Sequence, residues 1–106
     1  MPSISRTLAI LLIGATAMAA APAMAADHAV SIKGFKFSPA SLTVAAGDTV
    51  TFTNQDGAPH TATAADGSFD TGTLGSGQSA TVTVSAGSHD YKCKFHPSMK
   101  GAVSAQ

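Results

Sequence analysis

Three residues whose side chains bind soft metals recur at intervals of three near the end of the chain: Cys93, His96 and Met99, in the segment CKFHPSM. Pro97 disfavours both helix and strand pairing there. We therefore expect a turn that folds back over a strand end and brings thiolate, imidazole and thioether together. His60, at the end of NQDGAPH, offers a fourth ligand from the loop after another predicted strand.

This set of donors favours one metal. Two imidazoles and a thiolate with a weak axial methionine are the ligands of a type 1, or blue, copper electron-transfer site. Zinc fits less well because methionine is not among its usual ligands, although the two histidines and the cysteine remain open to it. Iron-sulfur clusters require more cysteines. With four ligands in place no position is open to a substrate, which argues against an enzyme.

The first 25 residues are typical of a cleaved signal peptide. Arg6 precedes the apolar run LAILLIG, and small residues follow up to the AMA of residues 23–25. We predict cleavage after Ala25, export to the periplasm and a single domain of residues 26–106. An uncleaved membrane anchor is the alternative, which the alanines and Pro22 in the second half of the stretch disfavour.

Composition argues against a nucleic-acid partner. The 106 residues include six basic and six acidic side chains, so the formal net charge is zero. A basic excess for nucleic-acid binding is absent, and steering of partners by net charge should be weak. The single cysteine cannot form an internal disulfide in an oxidising compartment, whereas a bound metal would protect it. We expect a monomer that leaves the membrane once the signal is cleaved.

Short strands make up the predicted domain. Apolar and polar residues alternate in HAVSIKGF, SLTVAAG, DTVTFTN, SATVTVSAG and HDYKCK, and turn-forming residues separate these runs. The pattern predicts an all-β protein, an antiparallel Greek-key β-sandwich. His89, Tyr91 and Cys93 share one face of the last run. The segment GSFDTGTLGSG, residues 67–77, is expected to be a connecting loop.

The segments GSHDYKCKFHPSM and NQDGAPH resemble the cupredoxins, and the spacing from Cys93 through His96 to Met99 is similar to that of the amicyanin group. The resemblance extends from SIKGFKFSPASLTVAAGDTVTFTN to MKGAV. It implies the cupredoxin fold and one copper site, with His60, Cys93 and His96 as strong ligands and Met99 as the axial one. It also implies transfer of single electrons, in this group from methylamine dehydrogenase to a c-type cytochrome.

Two positions depart from the family pattern. Thr61 stands where asparagine often follows the first ligand histidine and ties the ligand loops together, and its hydroxyl offers a similar hydrogen bond. His89 stands four residues before the cysteine, where an aromatic residue is usual. The residues flanking the ligand histidines are expected to form a small apolar patch for a transient redox partner: Ala58, Pro59, Phe95 and Pro97. Four lysines near the site would favour an acidic partner: Lys36, Lys92, Lys94 and Lys100.

Other functions stay open at this point. A periplasmic copper-delivery protein would also hold copper, although only Met99 of the four methionines remains after cleavage. A structural sandwich whose Cys93 links two chains is a further alternative. Cleavage after Ala25 would also expose Ala26, Asp27 and His28. Their amine, amides and imidazole could bind a second Cu(II) in a square plane, against the alternative of a frayed terminus.

Overall fold

The computed structural model describes residues 25–106, which form eight short β-strands and the loops between them. The predicted signal peptide lies outside the described residues except for Ala25. No helix occurs among these residues, and therefore none that could cross a membrane. The strands are β1 (Asp27–Ile32), β2 (Phe37–Ser38), β3 (Ser41–Val44), β4 (Thr49–Asn54), β5 (Thr63–Ala64), β6 (Ser79–Thr83), β7 (Gly87–Lys92) and β8 (Lys100–Ala105).

The strands form two four-stranded sheets around one core. The first sheet has the order β2-β1-β4-β6 and the second β3-β8-β7-β5. Strand β4 illustrates why the sequence folds this way: Val50, Phe52 and Asn54 are buried, while the threonines between them are half-buried. Since successive side chains of a strand point to opposite faces, the apolar face of β4 packs inward. The all-β sandwich predicted from the sequence is confirmed.

Both sheets are mixed, although the sequence suggested antiparallel pairing throughout. Strand β1 runs parallel to β4, and β3 runs parallel to β8, while the pairs β4–β6, β5–β7 and β7–β8 are antiparallel. The parallel pairing of β1 and β4 follows from the path between them. Residues 33–48 cross to the second sheet as β3 and return, so that β4 enters the first sheet in the same direction as β1.

An aromatic cluster joins the two sheets. The Tyr91 ring packs against Phe37, Phe52 and Phe69, with ring centroids 4.8, 5.3 and 5.8 Å away. Gly101 lies opposite Tyr91 in the β7–β8 ladder, and a Cβ there would overlap the Tyr91 ring. A glycine is therefore needed for this close approach. The cluster fixes β7, whose end carries the predicted cysteine ligand.

The five predicted strands occur at the predicted places. The face of β7 that includes His89 and Tyr91 is buried, as expected, and Cys93 continues this alternation. The segment 67–77 is a connecting loop held by isolated bridges rather than by a regular strand. Strands β2, β5 and β8 were not predicted. Two of them are only two residues long, and β8 lacks a clear alternation because small residues occupy most of its positions.

Candidate metal centre

His60 is held in place by the backbone of the loop on the far side of the site. It forms an isolated bridge with Leu74, with N to O distances of 3.1 and 2.8 Å. The buried Asn54 amide donates to the carbonyls of Ala58 and Leu74, both at 2.8 Å. These bonds satisfy a buried polar side chain and fix the His60 loop on the end of β4.

Cys93 follows β7 directly, and a closed turn returns the chain to β8. The Cys93 N–H donates to the Met99 carbonyl at 3.2 Å, and the Met99 N–H donates to the His96 carbonyl at 2.8 Å. Pro97 lies exposed within this turn. The fold-back predicted from CKFHPSM is therefore present. It carries His96 back over the strand end and places Met99 in the core, where it is 4% exposed.

The donor atoms of three predicted ligands converge on one point. The ligand atoms of His60, Cys93 and His96 all lie within 4.8 Å of one another. The Cys93 Sγ is 3.7 Å from Nδ1 of both His60 and His96. His60 and Cys93 are fully buried, and His96 is partly exposed. Two imidazole nitrogens around a thiolate, beside a buried thioether, suit copper of the type 1 class.

Thr61 ties the two ligand loops together. Its N–H donates to the Cys93 Sγ at 3.4 Å, and its hydroxyl accepts a hydrogen bond from the Lys94 N–H at 2.9 Å. Thr61 is 2% exposed, and its bond to the sulfur is buried while the bond from Lys94 is partly buried. The expected substitute for the family's asparagine is therefore present, since the threonine hydroxyl bridges from one ligand loop to the other.

Two residues that the sequence analysis missed lie against the ligand histidines. Asp56 Oδ2 is 2.9 Å from His60 Nε2, and its carboxylate also accepts the N–H groups of Phe35 and Gly34. Those two backbone donors, with His60, hold the pKa of Asp56 below its usual value. The Phe35 ring lies beside both His60 and His96. The only sequence signal for Asp56 was its position four residues before a ligand histidine, and Phe35 had none.

The remaining residues that the sequence analysis named are not among the three converging donors. His28 is bonded to Asp48, with Nε2 to Oδ2 at 3.0 Å. His89 is buried and hydrogen-bonded through both ring nitrogens. Lys94 forms an exposed ion pair with Asp70 at 2.9 Å. Of the expected apolar patch, Pro59, Phe95 and Pro97 are exposed and Ala58 is half-buried.

Comparison with known proteins assigns the chain to a family. A family model described as a cupredoxin-like domain matches residues 6–105. The chain belongs to the cupredoxin family. Cleavage after Ala25 stays a prediction. A search of curated proteins finds no match.

Solved structures resemble this cupredoxin closely. A Cu(I) amicyanin variant is 30% identical with a TM-score of 0.69, and the match covers 83% of this chain and 88% of that chain. A reduced Cu(I) amicyanin variant at pH 4 is 29% identical with a TM-score of 0.70 and the same coverage. A copper-containing nitrite reductase from Thermus scotoductus SA-01 is 29% identical with a TM-score of 0.70, covering 85% of this chain and 26% of that chain.

These likenesses agree with the geometry of the site. The chain is an amicyanin-like cupredoxin whose cofactor is copper, bound at one type 1 site. A buried cysteine sulfur 3.7 Å from two imidazole nitrogens supports the role of a blue copper electron carrier.

Proposed function

We propose that this cupredoxin carries single electrons between redox proteins of the periplasm, with His60, Cys93 and His96 as the strong copper ligands and Met99 as the weak axial one. The convergence of three donor atoms within 4.8 Å carries the proposal. The buried Met99 at the end of the same turn supplies the thioether. No zinc site of ordinary composition includes such a ligand.

Bound copper would supply a one-electron couple, Cu(II)/Cu(I). The chain's part is to keep the ligands in nearly the same positions in both states, so that little reorganisation accompanies the transfer. The bridge between His60 and Leu74, the closed turn from Cys93 to Met99 and the Thr61 link restrict that motion. The Thr61 N–H donated to the Cys93 sulfur stabilises negative charge on the thiolate and so tunes the reduction potential.

His96 is the proposed point of electron entry and exit. It is the only partly exposed member of the three converging ligands, while His60 and Cys93 are buried. Exposed apolar side chains adjoin it in sequence, with Phe95 being 51% exposed. A small apolar surface of this kind suits a transient complex with a redox protein, in which rapid release matters more than affinity. A dehydrogenase donor and a c-type cytochrome acceptor are the proposed partners.

The export route and the absence of catalysis are part of the same proposal. Cleavage after Ala25 would release residues 26–106 into the periplasm as a soluble monomer. With four protein ligands in place, the copper has no open position for a substrate. The likeness to a nitrite reductase covers only 26% of that chain. We therefore propose a carrier and not an enzyme.

Voltammetry of the copper-loaded protein, with copper measured before and after many cycles, tests the carrier role. We expect a reversible one-electron couple and full retention of copper, because the ligands hardly move. Rapid transfer of Cu(I) to a metal-free acceptor protein, together with poorly reversible voltammetry, would contradict the carrier and support copper delivery.

A further inference from the structure

The turn between β1 and β2 holds a phenylalanine in an uncommon backbone conformation. Lys33 and Lys36 exchange two backbone hydrogen bonds, of 3.0 and 3.2 Å, around Gly34 and Phe35. Both central residues are left-handed, with φ of 63° and 58°. Glycine adopts this conformation readily, whereas Phe35 is the one non-glycine residue with positive φ among those the structure describes. Outliers of this kind tend to occur where function requires them.

Asp56 fastens this turn to a ligand histidine. Its carboxylate accepts the N–H groups of Gly34 at 2.7 Å and Phe35 at 2.9 Å, and it lies 2.9 Å from His60 Nε2. A carboxylate beside Nε2 favours the tautomer with the proton on that nitrogen. Nδ1 of His60 is then free to face the Cys93 sulfur, and the position of the turn is coupled to that of the ligand.

The Phe35 ring lies against both ligand histidines. Its centroid is 5.0 Å from that of His60 and 4.8 Å from that of His96, and the interplanar angles are 85° and 88°. Edge-to-face contact at this separation is favourable for aromatic rings. The ring is 48% exposed, so one side meets solvent while the other packs on the histidines. Phe35 therefore stands between solvent and the two imidazoles.

We propose that the Lys33–Lys36 turn is a cap that slows the release of copper. The proposal rests on the ligand set of the proposed function. Copper can leave only if a ligand moves away, and the ligand with room to move is His96, which is partly exposed and lies on a turn. Because the Phe35 ring packs on His96, the ring must shift first. Asp56 resists that shift by holding the backbone of the turn.

Transfer of Cu(I) from the loaded protein to an excess of bathocuproine disulfonate, without oxygen, measures this release. We expect Phe35→Ala to release copper at least tenfold faster than the wild type. Asp56→Asn should also release it faster, because an amide cannot accept hydrogen bonds from all three donors at once. The blue absorption of the Cu(II) form of Phe35→Ala should persist, since Phe35 supplies no ligand.

Phe95→Ala is the matched control. Phe95 is 51% exposed and adjoins His96 in sequence, and no contact between its ring and a histidine occurs among the ring pairs of the described residues. It should release copper within twofold of the wild-type rate. Phe35→Gly separates the loss of the ring from a loss of stability. Glycine adopts a φ of 58° readily, so that this variant removes the ring without straining the backbone. It should release copper as fast as Phe35→Ala, with an unfolding midpoint no lower than that of Phe35→Ala.

Equal release rates for wild type, Phe35→Ala and Phe35→Gly would overturn the cap. An equal acceleration in Phe95→Ala would overturn it too, since any exposed aromatic ring would then have the same effect. Failure of the proposed function is a different result: the wild-type protein would show no blue absorption with Cu(II).

Discussion

Thr61 contacts the metal centre through both its backbone and its side chain. Its N–H approaches the Cys93 sulfur, and its hydroxyl accepts the Lys94 N–H from the other ligand loop. Valine has nearly the same shape as threonine, with a methyl group in place of the hydroxyl. The hydrogen bond can therefore be removed without opening a cavity.

We predict that Thr61→Val lowers the free energy of unfolding by about 1–2 kcal/mol, because the partly buried Lys94 N–H loses its acceptor and the Thr63 hydroxyl loses a partner. Urea unfolding of the metal-free protein measures the loss. Thr53→Val is the matched control, since it removes a hydroxyl bond to Ser79 on the exposed sheet face and should change stability by less than about 0.5 kcal/mol. Equal losses in the two variants would contradict the link.

At the scale of single residues, the ligands could be predicted from the sequence and the residues around them could not. Cys93, His96 and Met99 lie close together in the sequence, so their spacing alone suggests a common site. Asp56 and Phe35 act across a separation of 21 residues, and single-sequence patterns do not report such contacts. Asp56 resembles any turn residue, and Phe35 resembles any strand residue.

At the scale of elements, His89 joins β7 to two loops. Its Nδ1 lies 2.6 Å from Asp66 Oδ2, and its Nε2 lies 2.7 Å from the Ser85 carbonyl. Carboxylate and carbonyl oxygens only accept, so this arrangement favours the protonated ring, in which both nitrogens donate. The Ser85 carbonyl and then Asp66 raise the pKa of His89. Hydrogen bonds from Ser68, and then His89, lower the pKa of Asp66 to about 2.

We predict that this cluster stabilises the fold between about pH 4 and the raised pKa of His89. A raised histidine pKa means that the stabilisation is complete below the unfolded value of 6.5 and is lost as pH rises through the folded value. A lowered aspartate pKa means that it is also lost as pH falls from 3.8 towards 2. The difference in unfolding free energy between wild type and His89→Gln should therefore be larger at pH 6 than at pH 9. The same difference at both pH values would contradict this.

Elements were predictable where one face is buried and the other is not. Strand β4 alternates Val50, Phe52 and Asn54 with threonines, and this pattern located it from the sequence. Strand β8 was missed because small residues occupy most of its positions and its burial does not alternate strictly. The parallel pairing of β1 with β4 depends on the path of residues 33–48, which no local pattern encodes.

At the scale of the whole molecule, the start of the described chain bears on how many copper ions the protein holds. Asp48 is buried, and its carboxylate accepts the N–H groups of Ala26 and Ala45 and bonds His28. The hydrogen bond with His28, followed by those from the Ala26 and Ala45 backbone, lowers the pKa of Asp48. Asp27 and His28 pair with β4. A square-planar site at Ala26, Asp27 and His28 would have to break these contacts.

We predict that the processed protein binds one copper ion tightly and no second one through His28. Titration with Cu(II) followed by metal analysis after desalting should give one equivalent in both wild type and His28→Gln. Two equivalents in the wild type and one in the variant would show instead that the terminal site forms. Mass spectrometry of the exported protein identifies its first residue and so establishes whether the cut follows Ala25.

The visible absorption spectrum of the protein with one equivalent of Cu(II) tests the central claim most directly. A thiolate bound to Cu(II) in a type 1 site should give an intense blue band, and Cys93→Ala should abolish it because no other sulfur of the set is a thiolate. A colourless wild-type protein that still binds copper, or a blue band that survives in Cys93→Ala, would contradict the type 1 site built from His60, Cys93, His96 and Met99.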